Sequence, residues 1–93
     1  MSHFDTARKL VLGERNADYG SPRGDFEGTA LGWTALLREK LAPGFALTAE
    51  DVARMMVFLK LNRDAHKAKD DNKVDAHGYL LCLEWLETGR KPE

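Results

Sequence analysis

Apolar positions recur at helical spacing along most of the chain. The first helix is expected from about Phe4 to Arg15, with Asp5 as its cap and Leu10 and Val11 as a narrow apolar edge. Gly13 weakens its end. The second is expected from about Asp25 to Leu41, where Phe26, Ala30, Trp33, Leu37 and Leu41 form one stripe. "APGF", Ala42 to Phe45, ends it. Thr48 followed by Glu50 and Asp51 marks the third N-terminus: a hydroxyl cap, then acids suited to the helix dipole. Val52, Met55, Met56, Leu59 and Arg63 continue along one broad face to about Ala68. "KDDN", Lys69 to Asn72, reads as a polar turn. Asp71 or Asn72 then caps a fourth helix that reaches about Glu87, with Val74, Gly78, Leu81, Cys82 and Trp85 facing inward.

No segment sustains period-two alternation, and β-branched residues are scarce. The pattern predicts an all-α fold, a small four-helix bundle-like domain over residues 1–93 with a polar tail from about residue 88. Gly28 and Gly32 lie four apart in the second helix. Each costs about 1 kcal/mol relative to alanine in a helix interior, which predicts close approach of another helix. With the broad apolar faces, this predicts a homo-oligomer.

Charge narrows the partners. The chain has 93 residues and a net charge of −1, with acids and bases intermixed. No basic face suits duplex nucleic acid. No apolar run suits a bilayer, and no signal peptide is seen. The single cysteine, Cys82, sits in an apolar run and reads as a small core residue. One thiol forms no internal disulfide, which points to a reducing compartment, the cytoplasm.

Candidate chemistry gathers in three places. Lys60, Arg63, His66 and Lys67 share a helical face, a stripe of cationic or protonatable groups that could bind phosphate. A solvated face with cations at a helix C-terminus explains the same spacing. Asp71 and Asp75 lie four apart and could hold Mg²⁺, whereas capping of the fourth helix explains them without metal. "RNADYGSPRGDF", Arg15 to Phe26, could grip a ligand: Tyr19 stacking on a ring, Gly20 allowing close approach, Arg15 and Arg23 reaching an anion. A plain helix-connecting turn uses the same residues. His66 and His77 have no partner at metal-ligand spacing, and no GxxxxGK[ST], GxGxxG or HExxH occurs.

"DYGSPRGDF", Asp18 to Phe26, and "LTAEDVARMMVFLKLNRDAHKAKDDNKVDAHGYLLCLEWLE", Leu47 to Glu87, together resemble a family of short phage and prophage proteins of unassigned function. The shared pattern is Arg-x-x-x-Tyr-Gly, an aromatic-headed helix, a "D-V-A-x-M-M-x-x-x-K-x-x-R" helix and a "D-N-x-x-D-x-x-G-Y" helix. More distantly, the layout is similar to the MazG-like all-α nucleoside triphosphate pyrophosphatases, oligomeric bundles that hold Mg²⁺ around a triphosphate. That resemblance implies a nucleotide-facing end formed by Lys60, Arg63, Asp71, Asn72, Asp75 and Tyr79. The EExxE cluster of those enzymes is absent here.

The expected function is therefore binding of a nucleotide or nucleotide-derived signalling molecule, sequestering it from host defence. Arg15, Tyr19, Gly20, Arg23, Lys60, Arg63, Asn72 and Tyr79 are the candidate ligand residues. No cofactor is required for that role. The alternatives are a Mg²⁺-dependent pyrophosphohydrolase with metal on Asp71 and Asp75, and a protein-interaction module using the Trp33 or Trp85 surface.

Overall fold

The computed structural model describes residues 2–14 and 21–93, for Glu14 the backbone alone. These residues form four α-helices, and no strand occurs among them. The helices are α1 (His3–Lys9), α2 (Pro22–Leu36), α3 (Ala49–His66) and α4 (Asp70–Thr88). A π-helical segment, Leu10–Glu14, directly continues α1. The all-α expectation holds.

Local chemistry explains most boundaries. Ser2 caps α1: its hydroxyl oxygen accepts the Asp5 backbone N–H at 3.0 Å. Asp5, expected to be the cap, lies inside the first turn, where its charge suits the dipole. Pro22 sits in the first turn of α2, where its missing N–H costs nothing. That helix stops at Leu36, short of the expected Leu41. The chain then turns, with Lys40 N–H bonding the Leu37 carbonyl at 2.7 Å. Gly44 follows at φ +84°, and Phe45 N–H bonds the Ala42 carbonyl at 3.1 Å. Proline followed by a positive-φ glycine is what a type II turn requires. Thr34 Oγ1 accepts Leu47 N–H at 2.9 Å and ties this loop back to α2.

The expected cap of α3 is present as a full capping box. Thr48 Oγ1 accepts Asp51 N–H at 3.1 Å, and Asp51 Oδ2 accepts Thr48 N–H at 3.0 Å. At α4 the expectation of Asp71 or Asn72 as cap is corrected. The helix begins at Asp70, and Lys69 occupies the cap position without a side-chain bond. Asp64, from the last turns of α3, does the work instead. Its Oδ1 accepts Lys69 N–H at 3.0 Å and Lys73 Nζ at 2.7 Å. Gly89, at φ +71°, closes α4 in a left-handed C-cap.

Packing centres on the α3–α4 hairpin, with α1 against α4 and α2 against α3. The core consists of Val11, Phe26, Ala30, Ala49, Val52, Ala53, Leu81, Cys82 and Leu86. The molecule measures 45 × 33 × 20 Å. Its shortest dimension is about two helix diameters, so every helix keeps a face on solvent. Among the described glycines only Gly78 faces a close neighbour: a Cβ there would meet Val11 Cγ2 at 3.3 Å and Ala7 Cβ at 3.9 Å. Gly28 and Gly32, from which close approach was expected, have nothing within 4 Å of a built Cβ. Their open surface reflects their side of α2, away from Phe26 and Ala30.

Candidate functional site

The reversal between α3 and α4 brings cations and amides together. Asn62, Arg63, His66, Lys67, Lys69 and Asn72 line an open groove of about 540 Å³ at that end of the hairpin. Three of these lie on α3, Lys67 caps it, and Lys69 and Asn72 are folded back by the turn. The Arg63, His66, Lys67 and Lys69 side chains make no ion pair among the described residues. The Arg63, Lys67 and Lys69 charges are therefore available to an incoming anion, and the His66 ring offers a further N–H donor. Arg63 offers a planar fork and the lysines offer point charges. Asn62 and Asn72 each add amide donors and an acceptor.

The other candidates divide among different places. Arg15, Tyr19 and Gly20 lie outside the described residues. Arg23 is committed to the fold. Its guanidinium donates to Glu50 at 2.8 Å, to the Leu86 carbonyl at 2.9 Å and to Glu27 at 3.3 Å. This clamps the start of α2 to the start of α3 and the end of α4. The hydrogen bond to Glu50 holds the guanidinium pKa above its ordinary value. Glu50 and Arg63 are separated by about 20 Å along α3 at 1.5 Å per residue, so Arg23 sits at the opposite end from the groove.

Lys60 is also engaged, with its Nζ 2.8 Å from Asp75 Oδ2. Tyr79 is half-buried and tilts against Phe26, ring centroids 6.0 Å apart. Of the described ligand candidates, only Arg63 and Asn72 line the groove. Lys69 and Asn62 were missed as site residues. Asn62 lies on α3 one residue before Arg63, and Lys69 joins it only through the sharp helix reversal at residues 67–69.

The metal candidates fare differently. Asp71 is exposed on the first turn of α4, while Asp75 is held by Lys60. Among the described residues no three His, Cys, Asp or Glu side chains gather as a metal site. Cys82 is a buried thiol in the core. No helix among the described residues is long and apolar enough to cross a membrane.

A family model described as a domain of unknown function, DUF6378, matches residues 2–87. The chain belongs to this family. The DUF6378 domain is similar to the Gene 55 protein of Mycobacterium phage L5, 36% identical over 88 residues, which are 94% of this chain and 53% of that protein. It is also similar to the Gene 55 protein of Mycobacterium phage D29, 32% identical over 87 residues, 89% of this chain and 52% of that one. The chain thus spans about half the length of these curated relatives. No solved structure matches it. The expected resemblance to a phage family of unassigned function is borne out.

Proposed function

We propose that this DUF6378 domain binds a nucleotide or nucleotide-derived signalling molecule, gripping its phosphates in the α3–α4 groove and holding it without cleavage. One observation carries this: Arg63, His66, Lys67 and Lys69 converge on one groove with no ion pair to any described acid. The other lysine and arginine side chains of α3 and α4 are matched: Arg54 with Asp51 and Glu87, Lys60 with Asp75, and Lys73 with Asp64. A cluster left unmatched among matched neighbours fits a multiply charged anion. The role belongs to the cytoplasm, where nucleotides are abundant; in a phage-encoded protein it would withhold a signal from the host.

Hydrolysis of the MazG-like kind is supported less well. It needs Asp71 and Asp75 to share Mg²⁺, and Lys60 occupies Asp75. The test is to incubate the protein with a mixed nucleotide pool, including cyclic and ADP-ribose-type species, and chromatograph it before and after denaturing the protein. A species withdrawn and returned intact, by native protein but not by an Arg63→Ala, Lys67→Ala double variant, supports sequestration. An unchanged pool refutes it. Mg²⁺-dependent conversion to monophosphate and pyrophosphate replaces it with the hydrolase.

A further inference from the structure

The cationic groove has an apolar neighbour. Trp33, Met55, Met56, Phe58 and Leu59 line a groove of about 390 Å³ between α2 and α3, and Asn62 completes it. Asn62 lines the cationic groove as well. One amide side chain therefore borders both grooves. Phe58 is 71% exposed and Met55 41% exposed, so aromatic and thioether surface faces water beside the cations. From Met55 to His66 the combined surface extends about 16 Å along α3, comparable to one extended nucleoside polyphosphate.

We propose that the apolar groove is the base subsite of the same ligand. The base lies against Trp33 and Phe58, its sugar crosses Asn62, and its phosphates lie on Arg63, His66, Lys67 and Lys69. This rests on the phosphate groove proposed above and adds what that groove cannot supply. A purely cationic groove does not distinguish a nucleotide from inorganic polyphosphate. An adjoining aromatic wall does, because every base has a face that stacks. Methionine sulfur and flexible Met side chains adapt to rings of different size. The amide of Asn62 offers both donors and an acceptor where sugar or base edge must pass.

The test uses the Trp85→Phe variant, in which Trp33 is the one remaining tryptophan of two. Its emission is followed during titration with the four nucleoside triphosphates, with 3′,5′-cyclic mononucleotides and with tripolyphosphate, which has no base. At least one nucleotide is expected to perturb Trp33 and to bind about tenfold more tightly than tripolyphosphate, within the range of base–aromatic stacking. Phe58→Ala, at an exposed position, is expected to remove that margin and leave tripolyphosphate affinity unchanged. Equal binding of tripolyphosphate and every nucleotide, weakened throughout by Arg63→Ala, overturns the base subsite while the phosphate groove stands. No binding by any probe overturns both. Trp33 emission that shifts with protein concentration before ligand is added assigns the apolar groove to a second copy of the chain and overturns the subsite.

Discussion

Lys60 Nζ and Asp75 Oδ2 lie 2.8 Å apart and join the middle of α3 to α4, with side chains only 16% and 28% exposed. Two residues that sequence spacing assigned to ligand and metal therefore satisfy each other inside the hairpin. Removing one partner leaves the other half-buried and uncompensated. Lys60→Met is expected to cost about 1–3 kcal/mol of stability, read by urea denaturation. Lys60→Met with Asp75→Leu should recover part of that loss. Tripolyphosphate affinity should change less than twofold in the double variant. A larger loss of binding at full helicity would return Lys60 to the ligand site.

Asp64 makes stability depend on acid. The Lys73 ammonium at 2.7 Å, then the Lys69 N–H, hold its carboxyl below the usual carboxylate range. A lowered folded pKa means that the unfolded chain takes up the proton first. The stabilisation is complete above the ordinary carboxylate range and is lost as pH falls through that range and the lowered folded value. Asp64→Asn should lower the thermal midpoint at pH 7, and its difference from the native chain should shrink on acidification. A difference constant from pH 7 to pH 3 would show that the charge of Asp64 contributes nothing.

Much of the fold was legible because its signals are local. Thr48 and Asp51 are three apart, so their reciprocal capping can be read without tertiary knowledge. Phe26 and Ala30 repeat at helical spacing and are buried. What was not legible depends on how helices meet. Asp64 serves a backbone N–H across a turn, which hides it from the usual rule that a cap precedes its own helix. The Lys60–Asp75 pair depends on the register of α3 against α4. Half of the groove was visible as the Arg63, His66 and Lys67 stripe. Of the rest, Asn62 lies on α3 beside them, and Lys69 and Asn72 join only because the chain reverses within residues 67–69.

Glycine composition likewise left open which glycine meets a neighbour. Gly28 and Gly32 face open space on a helix interior, so alanine at each should stabilise by about 0.5–1 kcal/mol. At Gly78 the same gain meets Val11 Cγ2 at 3.3 Å, a contact that must give by a few tenths of an ångström. Gly78→Val adds further methyl groups there and should cost about 1–3 kcal/mol by overpacking, with α1 loosened first. Hydrogen exchange would locate that loss. If Gly28→Ala or Gly32→Ala instead destabilises, and sedimentation shows a smaller species, the α2 surface is an interface between copies, as the sequence spacing suggested.

Asp71 separates the two chemistries most directly. It is exposed on the first turn of α4, next in sequence to Asn72 of the groove. If the groove binds phosphate, Asp71 repels the ligand. Asp71→Asn should then tighten tripolyphosphate binding about two- to fivefold at low salt, the scale of one unit charge acting through water at short range. The gain should fade as the Debye length contracts to about 3 Å at 1 M salt. If Asp71 is instead a metal ligand, the same variant should weaken nucleotide binding and abolish any strengthening by Mg²⁺. Titrations of both proteins with and without Mg²⁺, at low and at high salt, give opposite signs for the two cases. Helicity should be unchanged in either, because the cap of α4 comes from Asp64 and not from Asp71.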